Sequence, residues 1–265
     1  MPPICARNFT AQRSLQFCGP NDVFVLIFDN KCVIKEHMKA HELRAARLAK
    51  GWTQRQAAVR LGVTQAYLNY LEHGKRRLTA HLVRRATSVY GLSPTSLPVT
   101  NPFAPLETSD QHLAEDLSAL GYPGFNYLRS RTPKKHPNEF LLTALSQKSM
   151  DARVAEALPW VVANSAELNS WLLENARKFN LQNRLGFVVS LARHAADRLH
   201  ASSKMDELQR FETLLDESRL AKEDYFFRPP RTERETEWLR TNRTDDALHW
   251  NLLSDMKPEH VPHAG

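Results

Sequence analysis

Residues 52–77, "WTQRQAAVRLGVTQAYLNYLEHGKRR", constrain the fold more than any other stretch of the chain. Two short apolar stripes flank Gly62, and a capping threonine opens each. Thr53 with Gln56 forms a T-x-x-Q capping box, in which the hydroxyl accepts a backbone N–H and the glutamine reaches back to the cap. The helix so begun ends at Gly62, where a turn with positive φ costs glycine least. Thr64 caps the next helix, which buries Leu68 and Leu71 and leaves Gln65, Ala66, Tyr67, Asn69 and Tyr70 open to a neighbour. Helices joined by so short a turn cross steeply and need a small residue where they touch. Ala58, four positions after Gln54 and four before Gly62, fills that role, and Val63, Leu68 and Leu71 complete a small core.

Two further helices frame this pair. "AHELRAARLAKG" sets Leu43, Ala46 and Leu48 on one stripe and ends at Gly51. "TAHLVRRATSVYG" starts at Thr79 and turns Leu82, Val83, Ala86 and Tyr90 inward. Gln54, Ala58, Gly62, Val63, Leu68, Leu71, Glu72 and Gly74 then fall as in the Cro/C1-type (Xre-like) helix-turn-helix repressor family, which residues 39–97 resemble. The resemblance implies that the third helix lies in the major groove, with Gln65 reading adenine by two hydrogen bonds. Tyr67 and Asn69 come next, and Ala66 and Tyr70 touch thymine methyls or the sugar backbone. Thr53, Gln54, Thr64 and the helix N-termini hold phosphate, while Lys75, Arg76 and Arg77 grip the flanking backbone. Glu72, as an acid, is ill placed against phosphates, and the resemblance pairs it with Arg47. Alternatives stand beside these assignments: Tyr67 and Tyr70 can instead pack on the fourth helix or the following segment, and Arg84 and Arg85 can be a solvated face. Arg55 and Arg60 add field rather than specificity.

Charge concentrates in the same segment. Residues 38–98 carry eleven Lys and Arg against Glu42 and Glu72, a net of +9 in a chain whose total is +7. Such a block suits a polyanion, because each phosphate neutralised releases counterions. Residues 1–37 hold four basic and three acidic side chains, residues 99–137 four of each, and residues 138–265 seventeen basic against twenty acidic.

Residues 1–37 form an irregular extension with a β-rich run from Val23 to Phe28. Met38 stands directly before the first helix, so the extension is either part of the protein or sequence upstream of a second start. Cys5, Cys18 and Cys32 match no zinc or redox spacing and read as incidental thiols. Residues 99–137 are expected to be a linker or docking arm, since four prolines interrupt every helical period from Gly91 to Asp110. A short helix follows near Gln111–Leu120, then an irregular stretch whose Tyr122, Phe125 and Tyr127 suggest packing on something.

From Asn138 helical spacing recurs. Apolar positions include Phe140, Leu141 and Leu145, then Val154, Ala157, Leu158 and Val161 around Pro159, which kinks or ends its helix. Leu168, Trp171, Leu172 and Phe179 follow, then Leu181, Leu185, Val188, Ala192 and Leu199, then Leu208, Phe211 and Leu215. Thr232 and Glu235 form a capping box, and Asp245–Met256 reads as a last helix carrying Leu248 and Leu252. Six or seven helices can close around one core. The fold class is therefore all-α: an amino-terminal domain of four or five helices (38–98) and a larger carboxyl-terminal helical domain (138–257), with a tail at 258–265.

No catalytic residue, cofactor or metal site is expected in the helical domain. His194, His200, His249, His260 and His263 lack metal-ligand spacing, no glycine-rich phosphate loop occurs, and the carboxylates alternate with arginines as on solvated helices. Trp160, Trp171, Trp238 and Trp250 read mainly as core. Tyr225, Phe226 and Phe227 beside Pro229 and Pro230, with Trp238, form either a protein-partner interface or a cover over the domain's own helices. No apolar run is long enough to span a membrane and the amino terminus lacks signal-peptide order, so a cytoplasmic chain without membrane contact is expected.

Two functions fit these features. The first is a transcriptional repressor that binds a palindromic operator in double-stranded DNA as a homodimer, with half-sites about 34 Å apart. The second is an antitoxin that represses its own operon while its helical domain neutralises a toxin partner.

Overall fold

Capping and apolar spacing produce the elements in the order the chemistry dictates. The computed structural model describes residues 27–28, 31–32, 38–99, 102–128, 134–198 and 202–261. Cys5, Cys18, the run from Val23 to Leu26, Leu199, His200 and His263 lie outside the described residues. The chain divides into two units, residues 1–35 and 36–265. In the first, β1 (Ile27–Phe28) pairs antiparallel with β2 (Lys31–Cys32).

The second unit begins with α1 (Ala40–Ala49), α2 (Gln54–Leu61), α3 (Gln65–Glu72) and α4 (Ala80–Tyr90), here called the head. The capping box forms: the Gln56 N–H donates to the Thr53 hydroxyl at 3.2 Å, and the Thr53 N–H donates to Gln56 Oε1 at 2.9 Å. Thr64 and Thr79 accept from the backbone of Tyr67 and Leu82 in the same way. Gly62 ends α2 at φ +67°, a conformation costly for any residue with a Cβ, and the Arg85 guanidinium lies against it. Leu43, Ala57, Ala58, Leu61, Leu68, Leu71, Leu82, Val83, Ala86 and Tyr90 share one hydrophobic cluster. Leu48 does not join it and is 57% exposed. Five residues of helix separate it from Leu43, which turns it about 140° away; the inward stripe of α1 is Leu43, Ala46 and Arg47.

The remaining helices build a second cluster: α5 (Asp110–Leu120), α6 (Pro137–Leu145), α7 (Ala152–Asn164), α8 (Ser170–Lys178), α9 (Gln182–Arg198), α10 (Ser202–Asp216), α11 (Glu233–Asn242) and α12 (Asp245–His249). Short β3 (Asp224–Tyr225) and β4 (Leu252–Leu253) pair in parallel. At the centre runs α9, buried on nearly every side from Gln182 to Ala192, so α7, α8, α10 and α12 all pack on it. Gly186 lets Trp250 reach that helix: a Cβ there would run into the indole. The indole N–H donates to Ser190 Oγ at 2.8 Å, and Ser190 donates in turn to Glu212 at 2.6 Å, tying α12 to α9 and α10.

Several details depart from the sequence-based expectations. Phe103, Leu113, Leu117 and Leu120, in the stretch read as a linker, are buried in the same cluster as α6–α9, and Tyr122 and Phe125 join them with the packing that their rings suggested. Phe103 meets Trp171 and Phe179 edge-on. Prolines broke the helical period there without removing the apolar side chains that need cover. Tyr127 stays exposed. Pro159 sits inside α7, which continues through it. The last helix stops at His249, because Asn251 adopts φ +53° and Leu252–Leu253 become β4.

Head and remainder, here the body, meet at His136. This buried residue caps α6, accepting the Asn138 N–H on Nδ1 at 3.1 Å, and its ring also hydrogen-bonds the Thr95 backbone just beyond α4. Burial pushes its pKa down to about 4, against the raising effect of the Thr95 bond. A histidine neutral in the fold but ordinary when unfolded stabilises the chain above about pH 6.5, and that stability is lost as pH falls toward 4. We expect His136→Gln to remove up to about 3 kcal/mol of the acid-side decline over that window, read as the difference in urea midpoints between the two proteins. Parallel pH profiles would contradict it.

Candidate nucleic-acid interface

The candidate interface is built on α3. Gln65 and Ala66 are exposed, Tyr70 is 46% exposed, and Tyr67 and Asn69 are half-buried. Tyr67 packs partly on the head's cluster, so it divides its surface between core and solvent. Past the helix, Gly74 at φ +69° turns the chain. The backbone N–H groups of Lys75 and Arg76 return to the Tyr70 carbonyl at 2.9 and 3.3 Å. That turn fixes the start of an exposed Lys75–Arg76–Arg77 run beside α3.

Behind the exposed face, α1, α2 and α3 converge on one carboxylate. Arg47 Nε and Nη2 donate to Glu72 Oε1 and Oε2 at 2.6 and 3.1 Å, and Arg47 Nη1 donates to the Trp52 carbonyl at 2.8 Å. Gln54 Nε2 donates to Glu72 Oε2 at 3.0 Å and to Asn69 Oδ1 at 3.2 Å. Burial by itself pushes the Glu72 carboxyl up, but the hydrogen bonds from Arg47 and Gln54 outweigh it and hold the group below its ordinary value. The hydrogen bond to Glu72 raises Arg47 against the opposing effect of its burial. The pair is thus a fixed charged strut between the first and third helices, with a two-toothed geometry that lysine could not supply.

Residues 40–98 match a protein family described as a helix-turn-helix domain. This segment is a helix-turn-helix domain. No curated protein and no solved structure matches the chain. Helix-turn-helix domains bind DNA, with the second helix of the pair set against the bases; here that helix is α3.

Within the helix-turn-helix domain, Gln54 and Arg85 make contacts that the sequence did not indicate, while Thr53 and Thr64 cap their helices as expected. The Gln54 amide donates into the protein, so its side chain is not a free phosphate clamp; what α2 offers a phosphate is its N-terminal backbone. The Thr53 and Thr64 hydroxyls accept helix N–H groups as caps. Arg85 Nη2 donates to the Arg60 carbonyl at 3.3 Å and so closes the C-terminus of α2, while Arg60 itself stacks over Trp52 at 4.3 Å. The link from Gln54 to Asn69 escaped sequence reasoning. The only sequence signal for it was the i, i+3 spacing of Asn69 and Glu72, which puts both on one side of α3.

The aromatic quartet of the body does not act as a unit. Phe226 is fully buried against Phe187, ring centres 5.0 Å apart, so it is unavailable to a partner. It alternates inward between neighbours that stay half-buried, as extended chain requires. Tyr225 lies under the Arg184 guanidinium at 5.0 Å, and that arginine also grips Asp224 with two hydrogen bonds. Phe227 and Trp238 line a shallow cavity of about 70 Å³ with Leu239 and Leu253. Trp238 is 52% exposed on α11, which buries none of its residues. Among the described residues, no cluster of three or more His, Cys, Asp or Glu is arranged to hold a metal, and no helix is long and apolar enough to cross a membrane.

Proposed function

We propose that the chain is a sequence-specific transcriptional repressor acting in the cytoplasm. Residues 38–98 read a palindromic operator as one half of a homodimer, and residues 138–257 supply the dimer contact or an effector response. The observation that carries this is the exposed edge of α3: Gln65, Ala66 and Tyr70 stand clear of the core, beside the anchored run Lys75–Arg77 in a block of net charge +9, eleven basic side chains against two acids. Gln65, in the first turn of α3, is the principal base-reading side chain, with Tyr67 and Asn69 beside it; Lys75, Arg76 and Arg77 hold phosphates.

These roles separate in a binding experiment. Gln65→Ala is expected to cost about 1–3 kcal/mol on the preferred operator and to relax one base pair, whereas Arg76→Ala weakens all sequences alike and reduces the salt slope by about 1. Equal losses on operator and random duplex from both changes would exclude this reading face.

A second reading, an antitoxin whose body neutralises a toxin protein, draws on the exposed Trp238 beside its cavity. Rescue of growth by the chain when a neighbouring small gene is expressed, lost in Trp238→Ala, would favour it. Rescue independent of Trp238, or no toxicity, would remove that support.

A further inference from the structure

The exposed face of α3 runs one turn past the residues assigned to it. At about 100° per residue, Asn69, Ala66 and Tyr70 lie about 40°, 100° and 140° around the helix from Gln65, and His73 lies at about 80°, in the middle of that arc. His73 is the C-cap of α3, is exposed, and stands directly before Gly74 and the Lys75–Arg77 run. Its ring Nδ1 is 2.8 Å from the Asn69 carbonyl oxygen, which also accepts the His73 backbone N–H at 3.1 Å. A carbonyl can only accept, so Nδ1 carries the proton and the tautomer is fixed. Nε2, across the ring, is directed away from the helix and has no hydrogen-bond partner among the described residues. On a neutral ring that nitrogen is a bare acceptor, and a phosphate oxygen is an acceptor too; on a charged ring it is a donor.

We propose that His73 contacts a DNA phosphate through Nε2 only when its ring is protonated, so that each head takes up one proton as it binds. The proposal rests on α3 being the helix that faces DNA. Phosphate rather than a base edge is the expected acceptor, because His73 leads straight into three consecutive cations at the end of α3 remote from Gln65. The protein supplies no anion of its own to that nitrogen. α3 packs on α1 and α2, and residues 39–77 hold only two carboxylates, Glu42 and Glu72. Glu42 accepts the Lys39 N–H at the start of α1, and Glu72 is bound by Arg47 in the core. The other ionisable side chains of α1, α2 and their caps are Lys39, His41, Arg44, Lys50, Arg55 and Arg60, none of which carries negative charge. A duplex therefore brings the ring its first free anion, and an anion within about 4–6 Å favours the charged form. A change of tautomer does not avoid the proton. Moving it to Nε2 sets the Nδ1 lone pair against the Asn69 carbonyl and undoes the cap.

Fluorescence anisotropy tests this, with the full chain titrated at constant ionic strength from pH 6 to pH 8.5 into a duplex enriched from a random pool and into a scrambled duplex. His136 stays neutral over that range, its pKa being pushed down to about 4. The wild type is expected to bind both duplexes about three- to tenfold more tightly per head at pH 6 than at pH 8.5, the scale of one anion beside a histidine. Its salt slope should be steeper by about 1 per head at pH 6, for one more phosphate neutralised. His73→Gln should lose both effects, which leaves it about three- to tenfold weaker than the wild type at pH 6. His73→Lys, a permanent cation in the same place, should bind at every pH about as tightly as the wild type does at pH 6. Wild-type affinity that ignores pH, a pH effect that persists in folded His73→Gln, or one confined to the enriched duplex would overturn the proposal. So would equal weakening of both variants at every pH, the mark of a lost cap. If His73→Gln does not fold by circular dichroism, His73→Lys decides, and pH dependence retained there overturns the proposal. Binding to neither duplex at any pH would instead remove the DNA-reading proposal on which this one stands.

Discussion

Glu72→Ala is expected to destabilise the helix-turn-helix domain by about 3–5 kcal/mol and, with it, to abolish binding to operator and random duplex alike. The change leaves the Arg47 guanidinium, whose side chain is 9% exposed, without its buried carboxylate, and an unpaired buried charge costs far more than the net worth of the pair. It also strips Gln54 of one of its two acceptors. Urea unfolding followed by the fluorescence of Trp52, compared with circular dichroism of the whole chain, measures the effect. Replacing both partners by apolar residues, Arg47→Met with Glu72→Leu, should restore most of the stability, and this non-additivity is the signature of a direct pair. The pair also has a pH signature. Because the folded-state value of Glu72 is lowered, its contribution is present above the ordinary value of 4.5 and is lost as pH falls through the lowered one. A Glu72→Ala protein as stable as the wild type at neutral pH would contradict the strut.

Trp250→Ala is expected to cost the body about 3–5 kcal/mol, as emptying a large fully buried aromatic site does. The indole is entirely enclosed, fills the space that Gly186 leaves open on α9, and donates to Ser190. Gly186→Ala in the wild type forces a methyl group into the indole and should itself destabilise by about 1–3 kcal/mol. In the Trp250→Ala background that methyl group enters vacated space, and the same substitution should be close to neutral or favourable. Thermal or denaturant unfolding of the four proteins gives the coupling directly. Additive losses would show that Gly186 and Trp250 do not share the contact described.

The parts of the fold legible in the sequence were those with local causes. Thr53 with Gln56, Gly62 and Thr64 specify caps and a turn through groups at most a few residues apart, so the helices of the head follow from spacing alone. Arg47 with Glu72 could be named only through a family resemblance, since 25 residues separate them. The orientation of Asn69 could not be named at all, because it depends on three helices bringing Arg47, Gln54 and Glu72 together. In the body, periodicity marked α9 but not its central position, which follows from the packing of four other helices. Phe103 was hidden by the prolines around it, and Phe226 by neighbours of the same chemistry. Trp238, an aromatic at helical spacing that reads as core, stays half-exposed on α11, a helix that packs against the short β4 and buries none of its own residues.

The central claim is that α3 distinguishes DNA sequences. Its most direct test is equilibrium binding of the full chain to a duplex enriched from a random pool and to a scrambled duplex of equal composition, over a range of salt. A preference of about a thousandfold or more is expected, with both affinities falling linearly on a log–log plot as salt rises and the preference collapsing in Gln65→Ala. Equal affinity for the two duplexes at every salt concentration would contradict it.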